Sequence, residues 1–194
     1  MATASKSSVR DLPTAVLSSR AVYFRYACEQ DAGRILELRR APSEAGMLSP
    51  TTDDVDSQRK WLKDYVRRHA EGTEHYFVVC TRDGHAAGTV RVHDVTQRSC
   101  WWGSWIIAPA SPVAAVLESY LLVNFFVFER LRVEEARFRV RAANMSVARF
   151  HDAMHSPRFS SSDANIEYCV DSDWYAVLKG KFGSYLSGIR ECHD

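Results

Sequence analysis

The sequence predicts an α+β fold in which helices flank one central sheet, mixed but mostly antiparallel. Three observations carry this. Runs of β-branched and aromatic residues with turns between them fill the middle of the chain, from His75 to Ile107. Apolar residues at helical spacing lie on both sides of that block, and a further strand–helix–strand alternation follows from Ala136 to Asp171. No internal repeat and no shift in composition marks a second domain. Residues 21–194 therefore read as one domain behind a flexible N-terminal tail at 1–20.

The elements follow in order. Val22-Tyr-Phe-Arg-Tyr26 is a first strand. Asp31 caps a helix carrying Ile35, Leu36 and Leu38, which stops before Pro42. Residues 41–50 are turn-rich and form a loop. A second helix follows Thr52-Asp53-Asp54, with Val55, Trp61, Leu62, Tyr65 and Val66 near helical spacing and Gly72 just past its end. His75–Thr81, an Asp83-Gly84 turn and Ala86–His93 make a hairpin. A strand at Trp101–Ile107 ends at Pro109 and Pro112. Residues 113–131 are apolar nearly all round, which places that helix in a buried position against the sheet. Ala136–Arg141 alternates as a strand, Asn144 caps a helix running to Met154, and residues 164–171 supply another strand.

Bulk properties narrow the partners. With 46% hydrophobic and 25% charged residues and a formal net charge of +1, the chain gives no electrostatic reason for a nucleic-acid or membrane-surface partner. The five cysteines are scattered without metal-ligand or disulfide spacing, so reduced thiols in a cytoplasmic setting and no metal are expected. The longest apolar run, Tyr120–Phe128, is interrupted by Asn124 and suits a buried helix rather than a membrane span. Residues 1–20, with Lys6, Arg10 and Arg20 against Asp11, share the composition of an organelle transit peptide. They lack a clear amphipathic stripe, and a disordered or strand-leading tail is the plainer reading.

Three segments resemble the GNAT acyltransferase family. Gly88-Thr-Val-Arg-Val is similar to its second hairpin strand, and Gly103-Ser-Trp-Ile-Ile107 with Pro109 to its fourth strand and the turn after it. Phe138-Arg-Val-Arg-Ala-Ala-Asn144, followed by Val147, Phe150 and His151, is similar to the family's Asn-containing stretch. The resemblance spans roughly residues 21–172. It implies a sheet splayed between two parallel strands and an acetyl-CoA cosubstrate lying in the gap. It also implies direct transfer of the acetyl group to a primary amine. By carry-over, Trp105, Ile106 and Ile107 offer the backbone edge for pantetheine, with the N–H of Ile106 or Ile107 as oxyanion donor. Val113, Ala114 and Ala115 open the helix that receives the pyrophosphate. That turn departs from the family pattern, because residues 108–117 contain no glycine to allow close approach and positive φ. Asn144 has two compatible roles, helix cap and cofactor contact.

The resemblance also implies a proton donor for the departing thiolate, a role often filled by Tyr seven residues after the Asn. His151 stands there, and an imidazolium would serve. Arg91 and His93 alternate onto one strand face. His93 is a candidate base or substrate contact, with a solvated strand face as the alternative. Glu118, a carboxylate inside a strongly apolar helix, either faces the acceptor cleft or is paired with a nearby arginine. Met47, Leu48, Ser49, Gln58 and Trp61, with Trp101 and Trp105, are the carried-over acceptor region. The stretch from Leu38 to Tyr65 resembles members that act on nucleotide-linked amino sugars, and a phosphate there would meet Arg91 or Arg40. The expected acceptor is thus a small-molecule amine such as an amino sugar. The alternatives are a protein or peptide amine acetyltransferase, or an acyl-CoA-binding module without turnover. A homodimer is compatible with all three.

Overall fold

The computed structural model describes residues 15–41 and 54–192. Met47, Leu48 and Ser49 of the expected acceptor loop lie outside the described residues. The strands are β1 (Ala15–Ser18), β2 (Val22–Tyr26), β3 (His75–Thr81), β4 (Ala86–His93), β5 (Ser99–Ile107), β6 (Glu135–Arg141), β7 (Arg158–Ser161), β8 (Asn165–Asp171) and β9 (Arg190–Glu191). The helices are α1 (Ala32–Arg40), α2 (Val55–Ala70), α3 (Val113–Phe125), α4 (Met145–Ala153) and α5 (Ser172–Leu186); α3 runs on into a π-helical turn, Phe126–Leu131. The sheet order is β7-β8-β6-β5-β4-β3-β2-β1-β9. Every neighbouring pair with a defined register is antiparallel except β5 and β6, which run parallel.

The expected strands and helices are present, and β1, β7, α5 and β9 are additional to them. Residues 15–18, inside the stretch read as a tail, pair with β2 and β9. Hydrophobic spacing did not announce α5, whose exposed Val177 and kink at Phe182 blur its apolar stripe. No helix among the described residues is long and apolar enough to cross a membrane.

The sheet divides the interior into two layers. Phe24, Phe77, Val90, Trp102 and Phe138 face the larger core beneath α3, α4 and α5, and α3 buries all of Tyr120–Val123 there. Burial of that kind contributes about 25 cal/mol per Å² of apolar surface. Tyr76, Val78 and Cys80 face the smaller core with Ile35 of α1 and Leu62 and Tyr65 of α2. At the edge of this layer, Arg25 and Asp31 form a buried two-pronged ion pair at 2.7 and 2.8 Å, joining β2 to the start of α1.

Two local features shape the middle of the sheet. Gly88 permits an unusually close approach of β4 to β5: a Cβ placed there would stand 2.1 Å from the Ile106 carbonyl oxygen. Ser104 adopts φ 48° in a β-bulge, where the pairing register slips between Thr89 and Arg91. The buried Thr89 hydroxyl donates to the Ser104 carbonyl at 2.8 Å and fixes the bulge.

Candidate active site

β5 and β6 pair only from Ser99–Trp102 against Glu135–Phe138. Beyond that point β6 stays in unbroken register with β8 as far as Arg141, while the Ser104 bulge turns β5 aside. From Gly103 to Ile107, β5 keeps β4 on one edge and has no strand partner on the other among the described residues. The opening holds a cavity of about 200 Å³, walled by Trp102, Trp105, Phe138, Val116, Asn144 and His151.

The bulge has a direct effect on the wall. Side chains three apart on a regular strand point to opposite faces. Here Trp102 and Trp105 share a face, meeting edge-on at 6.2 Å, and both pack near Tyr120 of α3. Trp105 is held by its indole N–H, which donates to Ser119 Oγ at 3.0 Å. Of the carried-over strand residues, Trp105 and Ile107 line the cavity. Ile106 is buried opposite Thr89 and does not line it.

At the start of α3, Val113 is 90% exposed and Ala114 is also exposed, so their N–H groups stand at an open helix N-terminus. Ala115 is different: it is fully buried, and its N–H donates to the Pro112 carbonyl at 2.8 Å. That removes Ala115 from the expected anion-binding set. The missing glycines also find an explanation. Among the described residues positive φ occurs at Gly72, Gly84, Asp94, Ser104, Arg132 and His155, and none of these lies between 108 and 117. This turn follows a backbone path that alanine, serine and proline can take.

Asn144 caps α4, its Oδ1 accepting from the Val147 N–H at 3.3 Å and the Ser146 hydroxyl at 3.1 Å. Its Nδ2 has no partner among the described residues, and the side chain lines the cavity. Capping therefore uses one end of the amide and leaves the donor end for a ligand. Tyr168 of β8 reaches Asp152 at 3.1 Å and the Trp174 indole donates to the Met154 carbonyl at 3.1 Å, so α4 is pinned from two sides.

His151 requires correction. It is 1% exposed, with the rings of Trp102, Trp105, Tyr120, Phe138, Phe150 and Tyr168 at 4.4 to 5.9 Å, and its Nδ1 is buried without a partner. Burial among aromatic rings disfavours the charged form and brings its pKa down to about 3, with Asp152 pulling weakly the other way. The side chain is a neutral imidazole at physiological pH and cannot serve as the imidazolium acid.

Arg91, Trp61 and His93 come together on the other face of the sheet, toward α2. Buried Glu74 accepts from Arg91 Nε at 2.6 Å and Arg68 Nε at 2.5 Å, and the two guanidiniums lie 5.1 and 4.9 Å from the Trp61 ring. Trp61 is thus engaged by two cations rather than presented as a free stacking surface. His93 Nδ1 pairs with Asp94 Oδ2 at 2.9 Å. Burial, and then the Arg91 charge, lower its pKa, which leaves it neutral and able to accept a proton. Arg91 pairs across the strands with Gly103, where an added Cβ would meet no atom within 4 Å. Gly103 also lines the cavity, so there is open space beside this residue where the strands part. Arg39 Nη1 lies 3.4 Å from the Oγ of Ser104, a cavity residue, and Arg139, 5.4 Å over Trp101, lines the cavity itself. Neither arginine stood out in the sequence, because the bulge that brings Ser104 to Arg39 has no glycine to mark it.

Glu118 belongs elsewhere. It is 3% exposed, and its Oε2 accepts from the Ser19 hydroxyl and the Ala21 N–H, both at 2.6 Å. It anchors the β1–β2 turn and does not line the cleft. Gln58, also buried, sits within α2.

A family model described as an acetyltransferase (GNAT) domain matches residues 21–155. Among solved structures, apo FdhC, described as a nucleotide-linked sugar GNAT, is 31% identical. The match covers 90% of this chain and 99% of that one, with a TM-score of 0.79. Campylobacter jejuni N-acetyltransferase PseH in complex with acetyl coenzyme A is 16% identical, covering 78% and 99%, with a TM-score of 0.59. Mycobacterium smegmatis RimJ in complex with CoA-disulfide is 16% identical, covering 93% and 98%, with a TM-score of 0.68. At 16% identity the last two share the fold. No curated protein matches the sequence at a significant level.

Proposed function

The chain belongs to the GNAT acetyltransferase family, and from that membership we propose that it transfers an acetyl group from acetyl-CoA to the primary amine of a small molecule. The acceptor we favour is an amino sugar carried on a nucleotide. The observation that carries the donor half is the parting of β5 and β6, which leaves one backbone edge unpaired beside a cavity. The residues present fit an acyl-CoA. The β5 edge from Gly103 to Ile107 suits an amide-bearing arm, Asn144 Nδ2 is a spare donor, and the N–H groups of Val113 and Ala114 suit a pyrophosphate. When bound, acyl-CoA supplies the activated acyl group as a thioester.

This chain's residues divide the remaining work. Backbone N–H groups of the unpaired β5 run donate to the carbonyl oxygen as negative charge develops on it. Gly103 leaves room for the amine to reach the cleft from the α2 face. His93, neutral and on that face, accepts the amine's proton. The proton for the leaving sulfur comes from water in the cleft, since His151 is held neutral. Arg91 and Arg68 share the single carboxylate of Glu74, so this cluster keeps one positive charge for a nucleotide diphosphate. The acceptor half rests on that charge and on the likeness to a nucleotide-linked sugar GNAT.

The test is thiol release from acetyl-CoA with three acceptor sets: nucleotide-linked amino sugars, the same amino sugars without the nucleotide, and peptides with free N-termini. Turnover should be confined to the first set. Equal rates with free sugars would remove the diphosphate contact, and turnover with peptides alone would replace this reading with a protein acetyltransferase.

A further inference from the structure

A second cavity, about 450 Å³, lies between the β1–β2 turn, α3 and the end of α5. It is on another side of α3 from the cleft: Val116 lines the cleft, while Glu118 and Leu121 line this cavity. Its size falls within the range of small-ligand sites, roughly 300–1,000 Å³.

The wall carries two opposite charges that do not meet. Both hydrogen bonds that fasten Glu118 to the β1–β2 turn end on Oε2. Oε1 has no hydrogen-bond partner among the described residues, and Glu118 lines the cavity although it is only 3% exposed. A turn anchor needs one acceptor oxygen. The second is idle in the fold, and a buried carboxylate is costly unless its lone pairs are used. Arg20, at the tip of the same turn, is exposed, lines the cavity, and has no ion-pair or hydrogen-bond partner among the described residues. The rest of the wall includes the side chains of Leu121, Tyr185 and Ile189, with Ser19 and Ser184.

This pattern excludes the simpler ligands. Arg20 would repel a plain cation, Glu118 would repel a plain anion, and a neutral apolar molecule would leave both charges unanswered. We propose that the cavity binds a small zwitterion, an α-amino acid with an apolar side chain. Its ammonium donates to Glu118 Oε1, its carboxylate accepts from the Arg20 guanidinium, and its side chain packs on Leu121 and Ile189. Charge-assisted hydrogen bonds of this kind are the strong ones.

The test is isothermal titration of the full-length chain with L-leucine and L-phenylalanine, then with N-acetyl-L-leucine, which lacks the ammonium, and L-leucinamide, which lacks the carboxylate. L-Leucine should bind saturably, and each analogue should bind at least about tenfold more weakly, as expected for loss of one charged contact. Arg20→Ala should weaken L-leucine by a similar factor and leave L-leucinamide unchanged; a crossed result of that kind also locates the binding at this cavity rather than at the cleft. Glu118→Gln should weaken L-leucine and leave N-acetyl-L-leucine unchanged. Should that variant unfold, the exposed Arg20 position decides the matter alone. Absence of saturable binding to about 20 mM, equal binding of the analogues, or indifference to Arg20→Ala would overturn the proposal.

Discussion

Lowering the pH from 7 to 5 should destabilise this fold by about 4 kcal/mol through two buried histidines alone. His75 is 8% exposed, and neither ring nitrogen makes a hydrogen bond of normal geometry among the described residues; His69 and the rings of Tyr26, Phe77 and Phe126 surround it, and burial brings its pKa to about 4. His151 is brought to about 3. In the unfolded chain both return to about 6.5. Above pH 6.5 neither state binds the extra proton and the effect is absent. Between 6.5 and the folded values the unfolded state binds protons that the native state refuses, so stability falls as pH falls. At pH 5 this amounts to about 2 kcal/mol per histidine. His93, also lowered, acts in the same direction. The carboxylates held low by their partners, such as Asp152 and Glu167, lose their contribution only at more acid pH. Against a total stability of roughly 5–15 kcal/mol the loss is large. Urea unfolding followed by tryptophan fluorescence at pH 5, 6 and 7 measures it, with His75→Phe and His151→Phe as controls that should each remove about half the slope. A wild-type slope no steeper than that of the double variant, or a nuclear magnetic resonance titration placing either imidazole above about pH 6, would refute the reasoning.

Three further outcomes are expected. Gly88→Ala should push β4 from β5 and cost about 3 kcal/mol, because the new methyl group meets the Ile106 carbonyl rather than a movable side chain; thermal melting by circular dichroism reads it. Asn144→Ala should cost about 1 kcal/mol as a lost cap and, separately, weaken acetyl-CoA in titration calorimetry, whereas a stability loss with unchanged affinity would leave capping as its whole role. The pH–rate profile should show no limb from His151 between pH 5 and 9, so His151→Phe, even if slower, should keep the wild-type profile shape.

Much of the fold was legible because its elements follow simple periodicities. The apolar run 113–131 announced the buried α3, and the Asp83-Gly84 turn announced the hairpin. The site was legible only where family likeness and local chemistry coincided, as at Asn144. Counting seven residues from Asn144 singled out His151 as a proton donor, but its protonation depends on six rings drawn from β5, β6, β8, α3 and α4, which a linear reading cannot assemble. Glu118 was recognised as costly, yet its partners lie about a hundred positions away at Ser19 and Ala21. The Trp102–Trp105 pairing stayed hidden because the bulge uses a serine where positive φ ordinarily calls for glycine.

That bulge also sets how thick a visitor the sheet admits. The gap begins where the pairing of Trp102 with Phe138 ends, with the Trp105 indole fixed along one wall. A polypeptide strand brings a side chain at every residue and would jam against these rings. A slender chain bearing amides but no branches can slide to the apex. If the cleft takes acyl-CoA as proposed, the parted strands would act as a wedge gauge, sorting ligands by cross-section before charge or hydrogen bonding enters.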